Sequence, residues 1–182
     1  MGKNVIEGKR IFLRYLTLDD AKKIAEICHD KSINRFTHVP YPYKIKDAVD
    51  FIKNSQKKIK TKEEFVYGII NKETNEIMGT ISFVRISKRD NKAEIGYLLG
   101  KKYRNKGYMT EACKILVDYG FRNMKFYKIH INCAKDNKAS KNVIMKVGAK
   151  EEALLRKDIV LGGKYHDHYI HSLWRDDWKN KK

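Results

Sequence analysis

The chain has 182 residues, a length that predicts a single domain spanning residues 1–182. Hydrophobic residues make up 42% and aromatic residues 11%, which excludes a disordered chain. The net charge of +18 attracts polyanions, but 31 of the 40 basic residues are lysines, which disfavours a sequence-specific nucleic-acid binder because base readout relies on arginine.

The first half of the chain predicts helices and an antiparallel meander. Alternating residues 10–14 predict a strand, and Thr17 then opens a capped helix that runs to Cys28. A second helix follows the proline-containing loop 30–44. Three strands on short polar turns come next, at residues 65–70, 77–86 and 93–99.

The pattern changes after the meander. A basic, glycine-containing loop at residues 101–108 leads into a helix over 109–121, whose apolar residues share one face. A strand at 128–133, a helix at 137–147 and two final strands at 151–160 and 164–174 complete the chain. These elements predict an α+β domain with a mixed sheet.

Cysteine usage and hydropathy predict a cytoplasmic protein. The three cysteines lie far apart and form no C-x-x-C pair, which disfavours a disulfide framework or a thiolate zinc site. No apolar run approaches the roughly 20 residues that span a bilayer, and the N-terminus has no signal-peptide core. We therefore expect no membrane partner.

The segment YLLGKKYRNKGYMTE, residues 97–111, has the chemistry of a phosphate site. A strand end, a basic loop and a helix start would bring unpaired amides and the positive end of a helix dipole together. Gly107 would allow a close backbone approach to an anion. On spacing alone, an ordinary strand-to-helix loop with solvated lysines is the favoured explanation of the segment.

Several motifs resemble those of the GCN5-related N-acetyltransferases. Residues 104–109, RNKGYM, are similar to that family's Q/R-x-x-G-x-G/A signature, with Met109 in place of the usual small residue. Residues 137–140, NKAS, with VGA at 147–149, resemble its N-x-x-S…G element. The segment 93–112, the final GKYHD…SL and the opening R-x-x-L-R resemble the branch of ribosomal-protein N-terminal acetyltransferases.

The resemblance implies a mostly antiparallel sheet flanked by helices, with a splayed gap between the fourth and fifth predicted strands. It also implies acetyl-CoA as cosubstrate, with no metal. Pantetheine would pair with the fourth strand, and the pyrophosphate would lie on the loop amides. The implied cofactor-binding residues are Tyr97, Leu98, Leu99, Arg104, Asn105, Lys106, Gly107, Tyr108, Met109 and Asn137.

Two residues are candidates for proton transfer. Ser140 lies in the N-x-x-S element and could protonate the leaving thiolate, or it could only cap a helix. Glu94, on the fourth strand, could draw a proton from the amine, or it could form a simple ion pair. Some relatives have a glutamate base where this chain has Asn132, and a tyrosine proton donor where it has Ile144. Neither Asn132 nor Ile144 can transfer a proton in these roles.

Two histidines near the C-terminus have a weaker claim to function. His166 and His168 share one face of the last strand, but no third metal ligand is apparent. Either histidine could instead accept the amine proton.

The sequence therefore predicts an N-acetyltransferase that acts by direct attack in a ternary complex. The resemblance implies a protein N-terminal α-amine, of a ribosomal protein, as acceptor. The alternatives are a small amine or antibiotic, or a non-enzymatic RNA- or ribosome-associated module. The loop 30–44 is expected to cover the acceptor, and a homodimer remains open.

Overall fold

A computed structural model describes residues 5–179, so the ends of the expected domain, 1–4 and 180–182, lie outside it. Within the described residues nine strands form one sheet, in the order β1-β2-β3-β4-β5-β6-β9-β7, with β8 paired to β9. The strands are β1 Ile6–Glu7, β2 Ile11–Tyr15, β3 Phe65–Asn71, β4 Ile77–Ser87, β5 Lys92–Leu99, β6 Lys128–His130, β7 Cys133–Ala134, β8 Lys150–Leu161 and β9 Lys164–Trp174.

Helices cover both faces of this sheet. Two short 3-10 turns, Leu18–Asp20 and Lys101–Tyr103, precede α1 and α4. The helices are α1 Ala21–Cys28, α2 Lys31–Asn34, α3 Ile45–Thr61, α4 Tyr108–Arg122, α5 Lys138–Val147 and α6 Arg175–Lys179.

Strand alternation divides the core into two layers. Ile69 faces the cluster that includes Leu116 of α4, whereas the next residue, Ile70, faces the cluster that includes Ile24 of α1 and Ile52 of α3. All five side chains are buried, and burial of apolar surface on both faces stabilises the sheet. The predicted α+β fold with a mostly antiparallel sheet is confirmed.

The expected strand over residues 128–133 was wrong as one continuous element. β6 ends at His130, and β7 begins at Cys133. Between them the Asn132 side chain accepts a hydrogen bond from the His171 amide at 3.2 Å, so a side-chain oxygen takes the place of a backbone acceptor. The residues KIHINC alternate throughout, so periodicity alone could not reveal this break.

Three short elements were also missed: β1, α2 and α6. The helix α2 interrupts the loop that was expected to run from residue 30 to 44. Asp30 caps α2 by accepting a hydrogen bond from the Ser32 amide at 2.9 Å.

Gly79 lies on β4 where the backbone of β5 leaves no room for a Cβ, and we predict that this position tolerates no side chain. A Cβ at Gly79 would lie 2.2 Å from the Leu98 carbonyl oxygen, whereas one at Gly96 would lie 3.7 Å from its nearest neighbour, the Ser82 hydroxyl. Gly79→Ala should lower the free energy of unfolding by roughly 3 kcal/mol through overpacking. The matched Gly96→Ala variant should change it by less than about 1 kcal/mol. Urea denaturation of both variants measures the difference, and equal effects would contradict the prediction.

Candidate active site

The sheet opens between β5 and β6, the fourth and fifth strands of the sequence analysis. These strands run parallel and pair at three positions, ending with Glu94 opposite His130. Within residues 5–179, β5 pairs beyond Glu94 with β4 and with no other strand, while β7 pairs with β9. The predicted splayed gap is confirmed at this place.

One edge of β5 therefore faces the opening. Tyr97, Leu98 and Leu99 pair with β4 on one side, and no strand among the described residues pairs with them on the other. Backbone N–H and C=O groups on such an edge can hydrogen-bond an extended, amide-containing ligand. This is the stretch that the resemblance assigned to pantetheine.

The loop after β5 ends at a helix start that can bind an anion. Gly107 is the N-cap of α4 and has φ of 80°, and Asn105 has φ of 62°, so two left-handed residues turn the chain into the helix. The amides of Tyr108 and Met109 lie in the first turn, where intrahelical acceptors are lacking. Lys101, Lys102 and Lys106 are exposed around this turn, and together these groups form a site of positive potential.

Arg10 holds this loop in place, which the sequence did not indicate. Its guanidinium donates to the Lys106 carbonyl oxygen at 2.9 Å and to the Glu111 carboxylate at 2.8 Å. It also lies 4.6 Å from the centre of the Tyr108 ring. Burial opposes ionisation of Glu111, but hydrogen bonds from the Arg10 amide and guanidinium outweigh it and lower the pKa of that carboxyl.

Arg104 has a structural position within the loop. Its guanidinium donates to the Leu99 carbonyl oxygen at 3.0 Å and to the Ser32 hydroxyl at 2.8 Å, which ties the loop to β5 and α2. Its amide donates to the Lys101 carbonyl oxygen at 3.2 Å. Among the amides predicted to hold pyrophosphate, that of Arg104 is thus already engaged, so any free donors lie after it.

Asn137 and Ser140 lie at the start of α5. Asn137 is the N-cap, and its side-chain oxygen accepts a hydrogen bond from the Ser140 amide at 3.1 Å. The Ser140 hydroxyl lies 2.6 Å from the Tyr97 hydroxyl, so a hydrogen bond connects α5 to the β5 side of the gap. Burial raises the pKa of Tyr97, which therefore keeps its proton at neutral pH.

Glu94 lies at the closed end of the gap. Its carboxylate forms an ion pair with Arg85 at 2.8 Å, in which the Glu94 side chain is 19% exposed and that of Arg85 70%. The alternative role considered for Glu94, a carboxylate in an ion pair, is therefore present in the structure. An exposed partner of this kind contributes little stability and leaves the carboxylate accessible to water.

His130 faces Glu94 across the β5–β6 pair and was not singled out by the sequence. Its Nδ1 lies 2.9 Å from the Ser172 hydroxyl, which donates to Glu152. The network assigns the proton to Nδ1 and leaves Nε2 as an acceptor. Burial and the charge of Lys128 lower the pKa of His130, so its ring is neutral at pH 7.

An apolar pocket lies on the opposite face of β5 from Tyr97. Leu98 and Thr80 form its floor on the sheet. Val39 and Tyr43, from the loop before α3, form part of the pocket wall. The remaining lining residues are Ile24, Ile27, Cys28, Phe51 and Gly79, so the lining carries no charged side chain.

These features match those of a known family. A model of the acetyltransferase (GNAT) domain matches residues 10–150 of the chain. The chain belongs to the GNAT family of acetyltransferases. Membership confirms the predicted family, the enzyme class and acetyl-CoA as the cosubstrate, and it supports an enzyme over a non-enzymatic module.

Individual GNAT relatives are distant but extend over most of the chain. The chain is 28% identical over 178 residues to the Probable N-acetyltransferase YjcK of Bacillus subtilis, which covers 95% of this chain and 98% of that protein. It is 27% identical over 115 residues to the ribosomal protein uS5-alanine N-acetyltransferase of Escherichia coli, covering 63% of this chain and 59% of that protein.

A solved structure is also similar to this GNAT chain. The microcin C7 self-immunity acetyltransferase MccE, in complex with acetyl-CoA and AMP, is 27% identical and superposes with a TM-score of 0.83. The match covers 91% of this chain and 93% of that chain.

The two histidines of β9 that the sequence singled out, His166 and His168, each have a carboxylate partner. His168 Nδ1 lies 2.9 Å from Asp158, and His166 Nδ1 lies 3.8 Å from Asp136. Among residues 5–179, no group of three or more His, Cys, Asp or Glu side chains is arranged to hold a metal ion. The helices in the same range are all too short or too polar to cross a membrane.

We predict that Gly107→Val weakens acetyl-CoA binding by about tenfold or more, because displaced amides lose at least one charge-assisted hydrogen bond to phosphate. Gly107 has φ of 80°, and a Cβ there would lie 3.4 Å from the Arg10 guanidinium. Gly162→Val is the matched control, since Gly162 also has positive φ but lies in the β8–β9 turn with open space around it. Calorimetric titration with acetyl-CoA measures both, and equal affinities would place the phosphate site elsewhere.

Proposed function

We propose that this GNAT enzyme acetylates the N-terminal α-amine of a protein, of the ribosomal type, by direct attack in a ternary complex. The observation that carries the choice of acceptor is the uncharged, apolar lining of the pocket beside β5. The cosubstrate, when bound, supplies an acetyl thioester at the gap. The residues on each side of the gap then hold the reactants and move the protons.

The gap and the loop fit the two ends of acetyl-CoA. The open edge at Tyr97, Leu98 and Leu99 offers hydrogen bonds to an extended amide chain. The helix start at Gly107, with the amides of Tyr108 and Met109, suits a pyrophosphate. Residues Asn105 and Lys106 complete the loop around it, and Asn137 acts by fixing the start of α5.

The apolar pocket favours a small apolar side chain over a polycation. A polyamine needs carboxylates in its pocket, because a bare ammonium group in an apolar site loses its hydration without compensation. The lining offers Leu98, Phe51 and Tyr43 instead, and the net charge of +18 repels cations at longer range. A peptide that begins with alanine or serine would place its first side chain here while its backbone stays outside. The family likeness to an alanine N-acetyltransferase of a ribosomal protein supports the same acceptor.

Glu94 is the proposed proton acceptor for the amine. It lies on the pocket face of β5, because residues 94, 96 and 98 alternate onto one side of the strand. Its carboxylate would take the proton through water. His130 lies beside it with Nε2 free and serves as the second candidate, since its lowered pKa keeps the ring neutral.

Ser140 is the proposed proton donor to the departing sulfur. It lies in the first turn of α5, where the helix dipole stabilises negative charge. A gap-facing backbone N–H of β5 can donate to the acetyl carbonyl oxygen as charge develops there.

An acceptor on a ribosomal protein would place the enzyme in the cytoplasm. Any RNA contact made by its lysines would then be weak and independent of sequence.

We expect a screen of acceptors to rank peptides with N-terminal alanine or serine above polyamines and aminoglycosides. The reason is the uncharged pocket, which compensates an ammonium group poorly but accepts a small side chain. Release of CoA thiol from acetyl-CoA measures each rate, and mass spectrometry locates the acetyl group. The same peptides with a blocked N-terminus are the control. Turnover of spermidine above all peptides would refute the proposed acceptor.

We expect Glu94→Gln to lower kcat, because the amide cannot accept the proton. Arg85→Gln is the matched control, since it removes the same ion pair but leaves the carboxylate. Its kcat at neutral pH should stay within about twofold of wild type, as expected for an exposed ion pair. An unchanged kcat in Glu94→Gln would instead assign the proton to His130.

A further inference from the structure

Tyr97 contacts Ser140 by its side chain as well as lining the gap by its backbone. The two hydroxyl oxygens are 2.6 Å apart, and the Tyr97 hydroxyl is 3.5 Å from the Ser140 carbonyl oxygen. One residue belongs to β5 and the other to α5, 43 positions later. The contact therefore joins the two sides of the site that the sheet otherwise leaves apart.

The direction of this hydrogen bond decides what Ser140 can do. Two hydroxyls at this distance share one proton between their oxygens, so either can be the donor. If Ser140 donated to Tyr97, its proton would point away from the reacting sulfur. If Tyr97 donates, the Ser140 oxygen is an acceptor on that side and its own proton is free to point elsewhere.

The surroundings favour Tyr97 as the donor. Its ring packs against the core on the α4 side of the sheet, and burial holds the phenol in its protonated form. Ser140 is fixed independently, since its amide donates to the Asn137 side chain at 3.1 Å. With the backbone of Ser140 fixed by that cap, the remaining freedom is the rotation of its hydroxyl. The phenol of Tyr97 restricts that rotation.

We propose that Tyr97 is a positioning residue whose phenol donates a hydrogen bond to the Ser140 oxygen and so directs the Ser140 proton into the gap. The inference rests on the proposed role of Ser140 as proton donor. It gives Tyr97 a side-chain role beside the backbone contact that the family resemblance implies.

The proton transfers of the reaction balance without any transfer to or from Tyr97. A C–N bond forms and the C–S bond breaks. The amine loses one proton, to water by way of Glu94, and the sulfur gains one from Ser140. Ser140 then recovers a proton from water. Tyr97 donates the same hydrogen bond before and after and transfers no proton.

The test combines Tyr97→Phe, Ser140→Ala and the double variant. Tyr97→Phe removes a single oxygen atom and should lower kcat by up to about tenfold, the scale of one neutral hydrogen bond. Ser140→Ala should lower kcat by about a hundredfold, the low end of general acid catalysis. The double variant should match Ser140→Ala, because Tyr97 acts only through Ser140. Tyr67→Phe, a buried tyrosine of β3 in the same row of side chains, is the control and should retain wild-type kcat.

A second measurement is independent of the acceptor. The ionisation of enzyme-bound CoA thiol can be followed by ultraviolet absorbance of the thiolate during a pH titration. A hydrogen bond from Ser140 favours the thiolate, so both Tyr97→Phe and Ser140→Ala should shift this titration to higher pH. Calorimetry should give acetyl-CoA affinities within about twofold of wild type for both variants.

The outcomes separate the inference from the proposed function. If no amine in the screen is acetylated, the proposed acceptor fails, and the thiol titration still tests Tyr97. A Tyr97→Phe enzyme with wild-type kcat and wild-type thiol titration overturns the inference. So does a double variant whose kcat loss is the product of the single losses, because Tyr97 would then act without Ser140. A loss of acetyl-CoA affinity that accounts for the whole effect would likewise make Tyr97 a binding residue.

Discussion

The parting of β5 from β6 after Glu94 and His130 is the constraint on which the site depends. A parallel pair that continued would consume the backbone groups of residues 96–99 in a ladder. Instead Asn132 interrupts the neighbouring strand with a side-chain hydrogen bond, and among the described strands β7 pairs with β9 alone. The edge of β5 is left open where an extended ligand can complete it. The proposed place of the cosubstrate is thus one that the sheet itself provides.

In the basic loop between β5 and α4, different residues supply the positive charge and hold the backbone in position. The 31 lysines of the chain raise the positive potential, but a lysine carries its charge on a flexible stem that does not fix the geometry of a site. The position of the loop depends on Arg10 and Arg104, whose planar groups donate to carbonyl oxygens at 2.9 and 3.0 Å. In the proposed site, lysines would therefore attract the phosphates, whereas two arginines fix the loop whose amides would bind them.

Periodicity predicted the long elements, because α3, α4 and β3–β5 each repeat their pattern over seven or more residues. It failed where an element is too short to repeat, as in the two-residue β1 and the four-residue α2. Family motifs pointed to Ser140 and Gly107. No local signal could pair Arg10 with Glu111, 101 residues away, or Ser140 with Tyr97. Such contacts arise from tertiary packing.

The arrangement of nucleophiles and proton carriers favours direct attack over an acyl-enzyme. An acyl-enzyme on cysteine would need a reactive thiolate, but all three cysteines are buried, and burial raises the pKa of Cys28 and Cys133 to about 11. Glu94 and Tyr97 stand an odd number of residues apart on β5, so they face opposite sides of the sheet. The proposed proton acceptor therefore lies on the pocket side and the Tyr97–Ser140 pair on the other. An amine entering from the pocket would meet the acetyl carbon within the gap, with the sulfur leaving toward α5.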